Sequence, residues 1–224
     1  MKDKIINKLE KWLSDKAPKK YRYVDNILVR KSHSKGYVFP TAGIQQNKKE
    51  IHELIEYIVD NISNKGKCLE IGLGHFGSTH FIFREIFDEV ITIEKDFPRV
   101  RLFVDNLLKY DEEYDLDASR FVHGYSYEPS TVYKVEKILD DNLLDMLFID
   151  GNHSYEDILT DYLIYKNFLK PDGYLVVHDY MWPFKDYEIK RFIDSLEDEY
   201  NMHKIVHSEE QGIVVLRRKL WLKK

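Results

Sequence analysis

The sequence predicts an α/β fold, with a mostly parallel seven-stranded sheet, helices on both faces and an antiparallel hairpin at its end. Two observations predict this class. From residue 67 to residue 196, short apolar or β-branched runs alternate with helix-spaced apolar residues, which is typical of parallel sheets. The last two runs follow one another with no helix between them, so we expect them to pair antiparallel.

Seven segments have the length and composition of strands. Two of them, Leu143–Ile149 and Tyr174–Val177, are continuous apolar runs, the pattern of strands buried on both faces. The predicted strands in chain order are Lys67–Ile71, Glu89–Ile93, Arg120–His123, Leu143–Ile149, Tyr174–Val177, His203–His207 and Gly212–Arg217.

The segments between these strands have apolar residues at helical spacing. Pro98 suits the first turn of its helix, where a missing N–H costs nothing. The segment that starts at Tyr155 is expected to remain helical to Leu169, because Lys170-Pro171-Asp172-Gly173 then predicts a turn. The predicted helices are Lys48–Ile62, Ser78–Phe87, Pro98–Leu108, Pro129–Leu139, Tyr155–Leu169 and Tyr187–Leu196.

The N-terminal part differs from this pattern. Within residues 1–22, an apolar stripe at helical spacing predicts a short basic amphipathic helix, formed by Ile5, Leu9, Trp12 and Leu13. Three places for the helix remain open: against the domain, against a second subunit of a homo-oligomer, or at a membrane surface. Residues 23–46 are expected to be a loop with one short extended piece.

Composition narrows the function classes. The chain has 224 residues with 43% hydrophobic and 33% charged, which predicts a folded domain. With a net charge of -5, the chain lacks the excess of basic residues that is typical of proteins that bind nucleic-acid duplexes. No nucleic-acid partner is therefore expected. The single cysteine, Cys68, excludes an internal disulfide and suits a reducing compartment such as the cytoplasm. No apolar run has the length of a membrane span.

A glycine-rich turn follows the first strand and opens a helix, and an acid ends the next strand. Glycines allow a tight turn and let a ligand approach the backbone closely. An acid in the position of Glu94 can accept hydrogen bonds from a ribose. The turn therefore predicts a nucleoside-containing cofactor. The candidate cofactor-binding residues here are Glu70, Gly72, Gly74, Gly77, Ser78 and Glu94.

Glu70 separates two classes of cofactor. A dinucleotide site leaves the helix N-terminus open for a pyrophosphate, whereas an acid beside the turn suits a ligand with an ammonium group. The segment Glu70–Gly74 resembles motif I of class I S-adenosylmethionine-dependent methyltransferases, in which an E/D-x-G-x-G sequence follows the first strand. The resemblance implies a Rossmann-like fold, with Glu70 near the methionyl part and Glu94 on the ribose hydroxyls.

Two further turns carry the residues of a second site. Asp150 and His153 follow one buried strand, and His178 and Asp179 follow the next. Carboxyl ends of parallel strands share one edge of a sheet, so these four side chains are expected to meet in one crevice. Such an oxygen-rich site suits Mg²⁺ or Mn²⁺. The alternatives are that Asp150 caps its turn, His153 is a hydrogen-bonded loop residue and His178 is a spacer.

Residues 148–156 and 169–179 are similar to cephalosporin hydroxylase-like and macrocin-type O-methyltransferases, which are related to the methyltransferase 24 group. Gly43-Ile44-Gln45-Gln46 also resembles that group. The resemblance implies that residues 47–224 form the methyltransferase domain and residues 1–46 an extension. It implies that Asp150 and Asp179 ligate a metal, with His178 as a further ligand where the family often has an acid. It also implies that His153 is the catalytic base, beside a catalytic Asp150 that also contacts the cofactor.

Weaker candidates lie nearby. By the same resemblance, Ser126 contacts the adenine, although an ordinary turn serine fits equally. His75 faces the cofactor or only solvent, and His80 on the following helix suits packing. The aromatic pair after Asp179, Tyr180 and Trp182, forms either a wall for a sugar ring or part of the core.

These observations predict an S-adenosylmethionine-dependent O-methyltransferase that acts on a hydroxyl of a small molecule or sugar, assisted by a divalent metal. Two alternatives remain at the level of sequence. One is an NAD(P)-dependent oxidoreductase, against which Glu70 counts. The other is a non-catalytic module that binds S-adenosylmethionine, against which Asp150 and His153 count.

Overall fold

The computed structural model describes residues 1–16, 21–24, 27–30, 47–74, 77–110, 116–183, 186–209 and 211–219. The strands are β1 Tyr21–Val24, β2 Ile27–Arg30, β3 Lys67–Ile71, β4 Glu89–Glu94, β5 Ser119–His123, β6 Leu144–Ile149, β7 Leu169–Val177, β8 Tyr200–Ile205 and β9 Ile213–Arg218. The helices are α1 Lys2–Lys16, α2 Lys48–Asn61, α3 Ser78–Arg84, α4 Phe97–Tyr110, α5 Pro129–Leu139, α6 Tyr155–Tyr165 and α7 Glu188–Asp194.

The main sheet has seven strands in the order β5-β4-β3-β6-β7-β9-β8. The first five strands in this order are parallel, while β9 runs antiparallel to both β7 and β8. The predicted fold class is therefore confirmed. Because the strand order reverses between β3 and β6, a crevice opens at the carboxyl edge there, where ligands bind in sheets of this kind.

Apolar residues cover both faces of the sheet. One core layer joins the sheet to α1, α2, α3 and α4, with Ile55, Phe81 and Phe103 fully buried. The other joins it to α5, α6 and α7, with Val135 and Phe192 at its centre. The alternation of strand side chains assigns the faces, since Leu69 and Ile71 enter the second layer while Cys68 enters the first.

The helix at the N-terminus docks on the domain, as one of the three alternatives predicted. Ile5 and Leu9 are buried in the layer that α2 and α3 form. Lys8 Nζ lies 2.6 Å from Glu85 Oε2, so an ion pair also joins α1 to the end of α3. The described helices include none that combines the length and the apolar character needed to span a membrane.

Several element boundaries differ from the sequence prediction by a few residues, as where β8 spans Tyr200–Ile205 instead of His203–His207. Two regions differ more. Residues 21–30 contain a pair of antiparallel strands, β1 and β2, rather than one extended piece. The helix predicted to end at Leu169 ends at Tyr165, and β7 begins at Leu169 instead of Tyr174. The buried carboxylate of Asp145 stabilises this earlier start, because it accepts a hydrogen bond of 2.6 Å from Lys170 Nζ. Gly43–Gln46 lies outside the described residues.

A chain of buried polar groups crosses the layer between α3 and the sheet. The Thr92 hydroxyl donates its proton to Glu70 Oε2 at 2.6 Å. His80 Nδ1 lies 2.7 Å from Thr92 Oγ1, and because the hydroxyl proton is already used, Nδ1 is the donor to Oγ1. His80 Nε2 then accepts from the Ser119 hydroxyl at 2.9 Å. This is the pattern of a neutral imidazole. Complete burial lowers the pKa of His80 to about 3, with the charge of Arg84 acting in the same direction.

We expect His80 to contribute a loss of stability as the pH falls below 6.5, the ordinary pKa of histidine, against an opposite contribution from buried Glu70. Below that pH the histidine binds a proton in the unfolded chain but stays neutral in the folded protein, so the contribution of His80 to the free energy of unfolding drops by about 2 kcal/mol at pH 5. His80→Gln should remove most of this slope in urea titrations at pH 7, 6 and 5. The exposed His123→Gln is the control, and equal slopes in wild type and His80→Gln would contradict the assignment.

Candidate active site

A cavity of about 490 Å³ opens at the carboxyl edge of the sheet, where strands β3 to β7 end. Its walls come from the turns that follow five different strands, together with one face of α6. The residues that line it include Gly72, Gly74, Glu94, Tyr125, Ser126, Tyr127, Asp150, Gly151, His153, Asp161, His178, Asp179, Trp182 and Gln211. The structure therefore brings the two predicted sites together in one cavity.

The glycine turn is held close to the neighbouring strands. Gly72 donates its N–H to Ile93 O at 2.9 Å, and Asp150 N–H donates to Ile71 O at the same distance. Gly72 has a φ of +96°, and a Cβ at this position would lie 2.1 Å from the carbonyl oxygen of Asp150. Only glycine allows this approach.

The later part of the turn lies deeper. Gly77 and Ser78, at the start of α3, are not among the residues that line the cavity, and a Cβ at Gly77 would lie 2.5 Å from the ring of Phe103. The Ser78 hydroxyl is buried with no hydrogen-bond partner among the described residues. His75, the other candidate in this turn, lies outside the described residues.

Glu70 lies behind the turn and is not among the residues that line the cavity. Its side chain is fully buried on the face of β3 that packs against α3, where it accepts a hydrogen bond from Thr92. Burial raises its pKa to about 8, although hydrogen bonds from Thr79 and Thr92 act in the opposite direction. Direct contact with a methionyl group stays a prediction.

Glu94 reaches the cavity and is held rigidly. It is 4% exposed, and its Oε2 accepts a hydrogen bond of 3.1 Å from Leu73 N–H. Oε1 accepts from Asp96 N–H at 2.8 Å. Each carboxylate oxygen can accept a second hydrogen bond, so the group can bind a pair of hydroxyls without moving.

The four residues predicted to converge are in contact. His153 Nε2 lies 2.7 Å from Asp179 Oδ2. His178 Nδ1 lies 3.1 Å from the same oxygen and 3.2 Å from Asp150 Oδ1. His178 is 2% exposed, and neither of its ring nitrogens has a hydrogen-bond partner of good geometry within the described part of the chain.

The charges in this group support one another. Burial alone would raise the pKa of Asp179, but the positive charge of His178 and the hydrogen bond from His153 hold it well below its ordinary value. Burial would lower the pKa of both histidines, but the two carboxylates outweigh it. The pKa of His153 is therefore raised, and that of His178 is raised well above its ordinary value.

Three of these residues form a group that suits a cation. One ligand atom each from Asp150, His153 and Asp179 lies within 4.8 Å of the others. Two carboxylates and an imidazole match the donor preferences of Mg²⁺ and Mn²⁺. The prediction from sequence had His178 rather than His153 in this set, and His178 instead lies beside the two carboxylates.

The two aromatic residues after Asp179, Tyr180 and Trp182, lie in different surroundings. Trp182 lines the cavity and stacks on His153, with ring centroids 5.0 Å apart and planes at 25°. Tyr180 is buried in the core, where its hydroxyl donates to Asp194 Oδ1 at 2.9 Å. Trp182 therefore covers one face of the His153 ring and holds the ring in this orientation.

The comparisons with known proteins agree with this arrangement. A family model described as a methyltransferase domain, from the methyltransferase 24 family, matches residues 69–180, which is half of the chain. The chain belongs to this methyltransferase family. The predicted resemblance and the predicted enzyme class, an S-adenosylmethionine-dependent methyltransferase, are confirmed. Membership also removes the oxidoreductase alternative.

Solved structures share the methyltransferase fold. A protein from Staphylococcus aureus assigned as a caffeoyl-CoA O-methyltransferase has a TM-score of 0.61 at 18% identity, covering 96% of this chain and 92% of the other. An O-methyltransferase assigned in Klebsiella pneumoniae has a TM-score of 0.57 at 14% identity, covering 96% and 90%. A methyltransferase from Streptococcus mutans in complex with S-adenosylhomocysteine has a TM-score of 0.58 at 9% identity, covering 76% and 98%.

Among curated proteins, the uncharacterised protein R132 of Acanthamoeba polyphaga mimivirus is 34% identical over 80 residues. The match covers 34% of this chain and 34% of that protein, so the chain spans about a third of the length of the curated relative it matches.

Sequence reasoning missed Asp161, which lies on α6 and lines the cavity. A signal was present, because Asp161 follows Ile158 by three residues and precedes Tyr162 and Tyr165 on a helix face that is otherwise apolar. A buried acid on such a face is unusual in a merely structural helix.

Proposed function

We propose that this methyltransferase transfers the methyl group of S-adenosylmethionine to a hydroxyl oxygen of a small molecule or sugar, assisted by a divalent cation such as Mg²⁺ or Mn²⁺. The observation that carries the proposal is the contact of His153 with Asp179, beside Asp150, in the cavity that Glu94 also lines. The O-methyltransferase assignments of two of the structural neighbours agree with the choice of acceptor atom.

S-Adenosylmethionine supplies an electrophilic methyl group, so the protein has to bind this cofactor and orient a nucleophile. Glu94 fits the binding task, because its fixed carboxylate has acceptor positions left for the two ribose hydroxyls. Gly72 and Gly74 allow the cofactor to lie against their backbone, since neither carries a side chain into the cavity.

His153 fits the task of accepting the hydroxyl proton of the acceptor. Its ring is held from two sides, by the hydrogen bond to Asp179 and by the stacked indole of Trp182. A base that is oriented in this way loses little entropy in the reaction. As the proton moves to the imidazole, Asp179 and Asp150 stabilise the positive charge that forms.

Asp150 and Asp179 are the residues that would hold the cation, with His153 as the neighbour able to complete the set. A divalent cation polarises a hydroxyl oxygen and lowers the pKa of its proton, which a sugar hydroxyl needs. His178 already balances part of the carboxylate charge, so this chain is expected to bind the cation less tightly than a site with an acid there.

We expect S-adenosylhomocysteine, the product of the reaction, to bind and to stabilise the fold. At about 100 times its dissociation constant, the ligand raises the free energy of unfolding by roughly 2.7 kcal/mol. Glu94→Ala should weaken the binding measured by calorimetry, because the ribose loses its acceptor. The exposed Glu136→Ala on α5 is the control. Binding of NAD with no heat from either S-adenosyl ligand would overturn the proposal.

A further inference from the structure

Glu50, in the first turn of α2, is a fully buried acid for which neither cofactor binding nor metal binding gives a role. It is not among the residues that line the cavity. Burial raises its pKa, while hydrogen bonds and the positive charge of His178 act in the opposite direction. A carboxylate in such a place destabilises the fold unless donors surround it. The groups that donate to Glu50 therefore show what it holds.

The donors belong to the loop between β8 and β9, which contains His207, Ser208, Gln211 and Gly212 and is called the β8–β9 loop below. Within the described part of the chain, Glu50 Oε1 accepts from His207 N–H at 2.7 Å and from the Ser208 hydroxyl at 3.2 Å. Oε2 accepts from Gly212 N–H at 3.0 Å. The Ser208 oxygen in turn accepts from Gln211 N–H at 3.1 Å. One side chain of α2 thus fixes both ends of this loop.

The β8–β9 loop also binds the segment that follows Asp179. Gly212 O accepts a hydrogen bond from Tyr180 N–H at 3.0 Å, and Gln211 O accepts one from Met181 N–H at 2.8 Å. Asp179 itself has a φ of +60°, a left-handed conformation that a non-glycine residue keeps only where the surrounding structure holds it. The two hydrogen bonds to the loop come directly after this residue, so they hold its backbone in place.

This series of contacts ends at the side chains of the reaction site. Asp179 Oδ2 lies 2.7 Å from His153 Nε2, and Trp182 stacks on the same imidazole. Trp182 N–H donates to Asp179 O at 2.9 Å, so the backbone of the tryptophan follows that of the aspartate. Both groups that orient the His153 ring therefore depend on the segment that the β8–β9 loop binds.

Resting on the proposed function, we propose that Glu50 is a positioning residue for methyl transfer, which sets the backbone at Asp179 and thereby the direction of the His153 ring. It acts from behind the cavity and through the β8–β9 loop. A displacement of about 1 Å at the reacting groups can cost on the order of 100-fold in rate, so a distant contact can control turnover. A carboxylate suits this task, because both of its oxygens accept hydrogen bonds from the loop, whereas an amide accepts at one end.

The test replaces Glu50 by glutamine, which keeps the size of the side chain and puts an NH₂ group in place of one acceptor. A loop N–H that then faces this NH₂ group has to move. Glu50→Gln should lower kcat on the order of 10- to 100-fold, measured by the release of S-adenosylhomocysteine with an acceptor from a panel of hydroxylated compounds. The affinity for S-adenosylhomocysteine in calorimetry should stay within about twofold, because Glu94 and the glycine turn are not changed.

Glu53→Gln is the matched control. Glu53 lies on the same helix and contacts the same loop, with Oε2 at 2.6 Å from His207 Nε2, but 38% of its side chain is exposed. The contact is to the side chain of His207, so it does not reach the peptides that bind Tyr180 and Met181. This variant should keep the kcat of the wild type.

A double-mutant cycle separates positioning from a general loss of stability. If Glu50 acts through Asp179, Glu50→Gln should lower kcat by at most about twofold in an Asp179→Ala background, because the group that it positions is already absent. The thermal midpoint should fall in both backgrounds. A merely structural Glu50 would lower the midpoint and either leave kcat of the folded protein unchanged or lower it by the same factor in both backgrounds.

The outcomes are separable. A wild type that binds no S-adenosylhomocysteine contradicts the proposed function itself, and the role of Glu50 with it. In an active enzyme, a folded Glu50→Gln that keeps kcat, or an equal loss in both backgrounds of the cycle, overturns the positioning role alone. If Glu50→Gln does not fold, Ser208→Ala takes its place, since it removes the hydroxyl that joins the carboxylate to Gln211 N–H. It should also lower kcat, to a smaller extent, and an unchanged kcat would count against the proposal.

Discussion

His153→Ala is expected to lower kcat by about 10² to 10⁴, the usual contribution of a positioned general base. The variant loses the imidazole that Asp179 orients at 2.7 Å and that Trp182 covers. Glu94 and the glycine turn are not touched by the change. The affinity for S-adenosylhomocysteine should therefore stay within about twofold of the wild type, since an interaction made only in the transition state does not contribute to ground-state binding.

The measurement follows the release of S-adenosylhomocysteine with an acceptor chosen from a panel of hydroxylated compounds. His123→Ala is the matched control, because His123 is exposed and is not among the residues that line the cavity. A folded His153→Ala that keeps the turnover of the wild type would remove the base from the mechanism. Titration with Mn²⁺ separates a base from a ligand, because loss of a ligand lowers metal affinity and loss of a base does not.

The fold was predictable because its strongest signals are local. The runs Lys67–Ile71 and Pro129–Leu139 were predicted to the residue, since polar or turn residues flank each of them. The early start of β7 was not predictable, because Lys170-Pro171-Asp172-Gly173 has the composition of a turn. Its extended form depends on Asp145, which comes 25 residues earlier and meets Lys170 only in the folded sheet.

The location of the candidate site was predictable from the sequence, but the arrangement of its side chains was not. The rule that parallel strands end at one edge was enough to place Asp150 and Asp179 in one cavity. The arrangement in which His153 and His178 both lie against Asp179 was not predictable. Asp179 has a φ of +60°, a left-handed backbone that strand alternation does not anticipate and that lets His178 Nδ1 lie 3.1 Å from the carboxylate of the next residue.

The surroundings of Glu70 were not predictable from the motif. The motif implies that an acid in this position lies near the methionyl group, which stays a prediction, and it does not give the face of the strand to which the side chain points. Glu70 shares its face with Cys68, which packs in the layer that contains α3, so its carboxylate meets Thr92 behind the turn. Sequence spacing gives the distance along the chain, and the direction of the side chain decides what it contacts.

The second large effect is expected at Asp179. Loss of groups that only orient metal ligands costs about 10- to 100-fold in metal affinity, so loss of a carboxylate ligand should cost at least that. Asp179→Asn should therefore weaken Mn²⁺ binding by this factor or more, and EDTA should lower the turnover of the wild type. The affinity for S-adenosylhomocysteine should remain largely intact, because the hydrogen bonds of Glu94 go to Leu73 and Asp96, while Asp179 is hydrogen-bonded to His153.

Asp172→Asn is the matched control for this substitution, since Asp172 lies on β7 itself but is exposed near the opposite end of the strand. Asp179 also orients His153, so Asp179→Asn should lower kcat even where saturating Mn²⁺ restores binding. Turnover that is unchanged in rigorously chelated buffer would contradict a role for the divalent cation in the reaction. The hydrogen bond from His153 to Asp179 would then be the main chemistry of the site, and the rate loss of Asp179→Asn should equal that of His153→Ala.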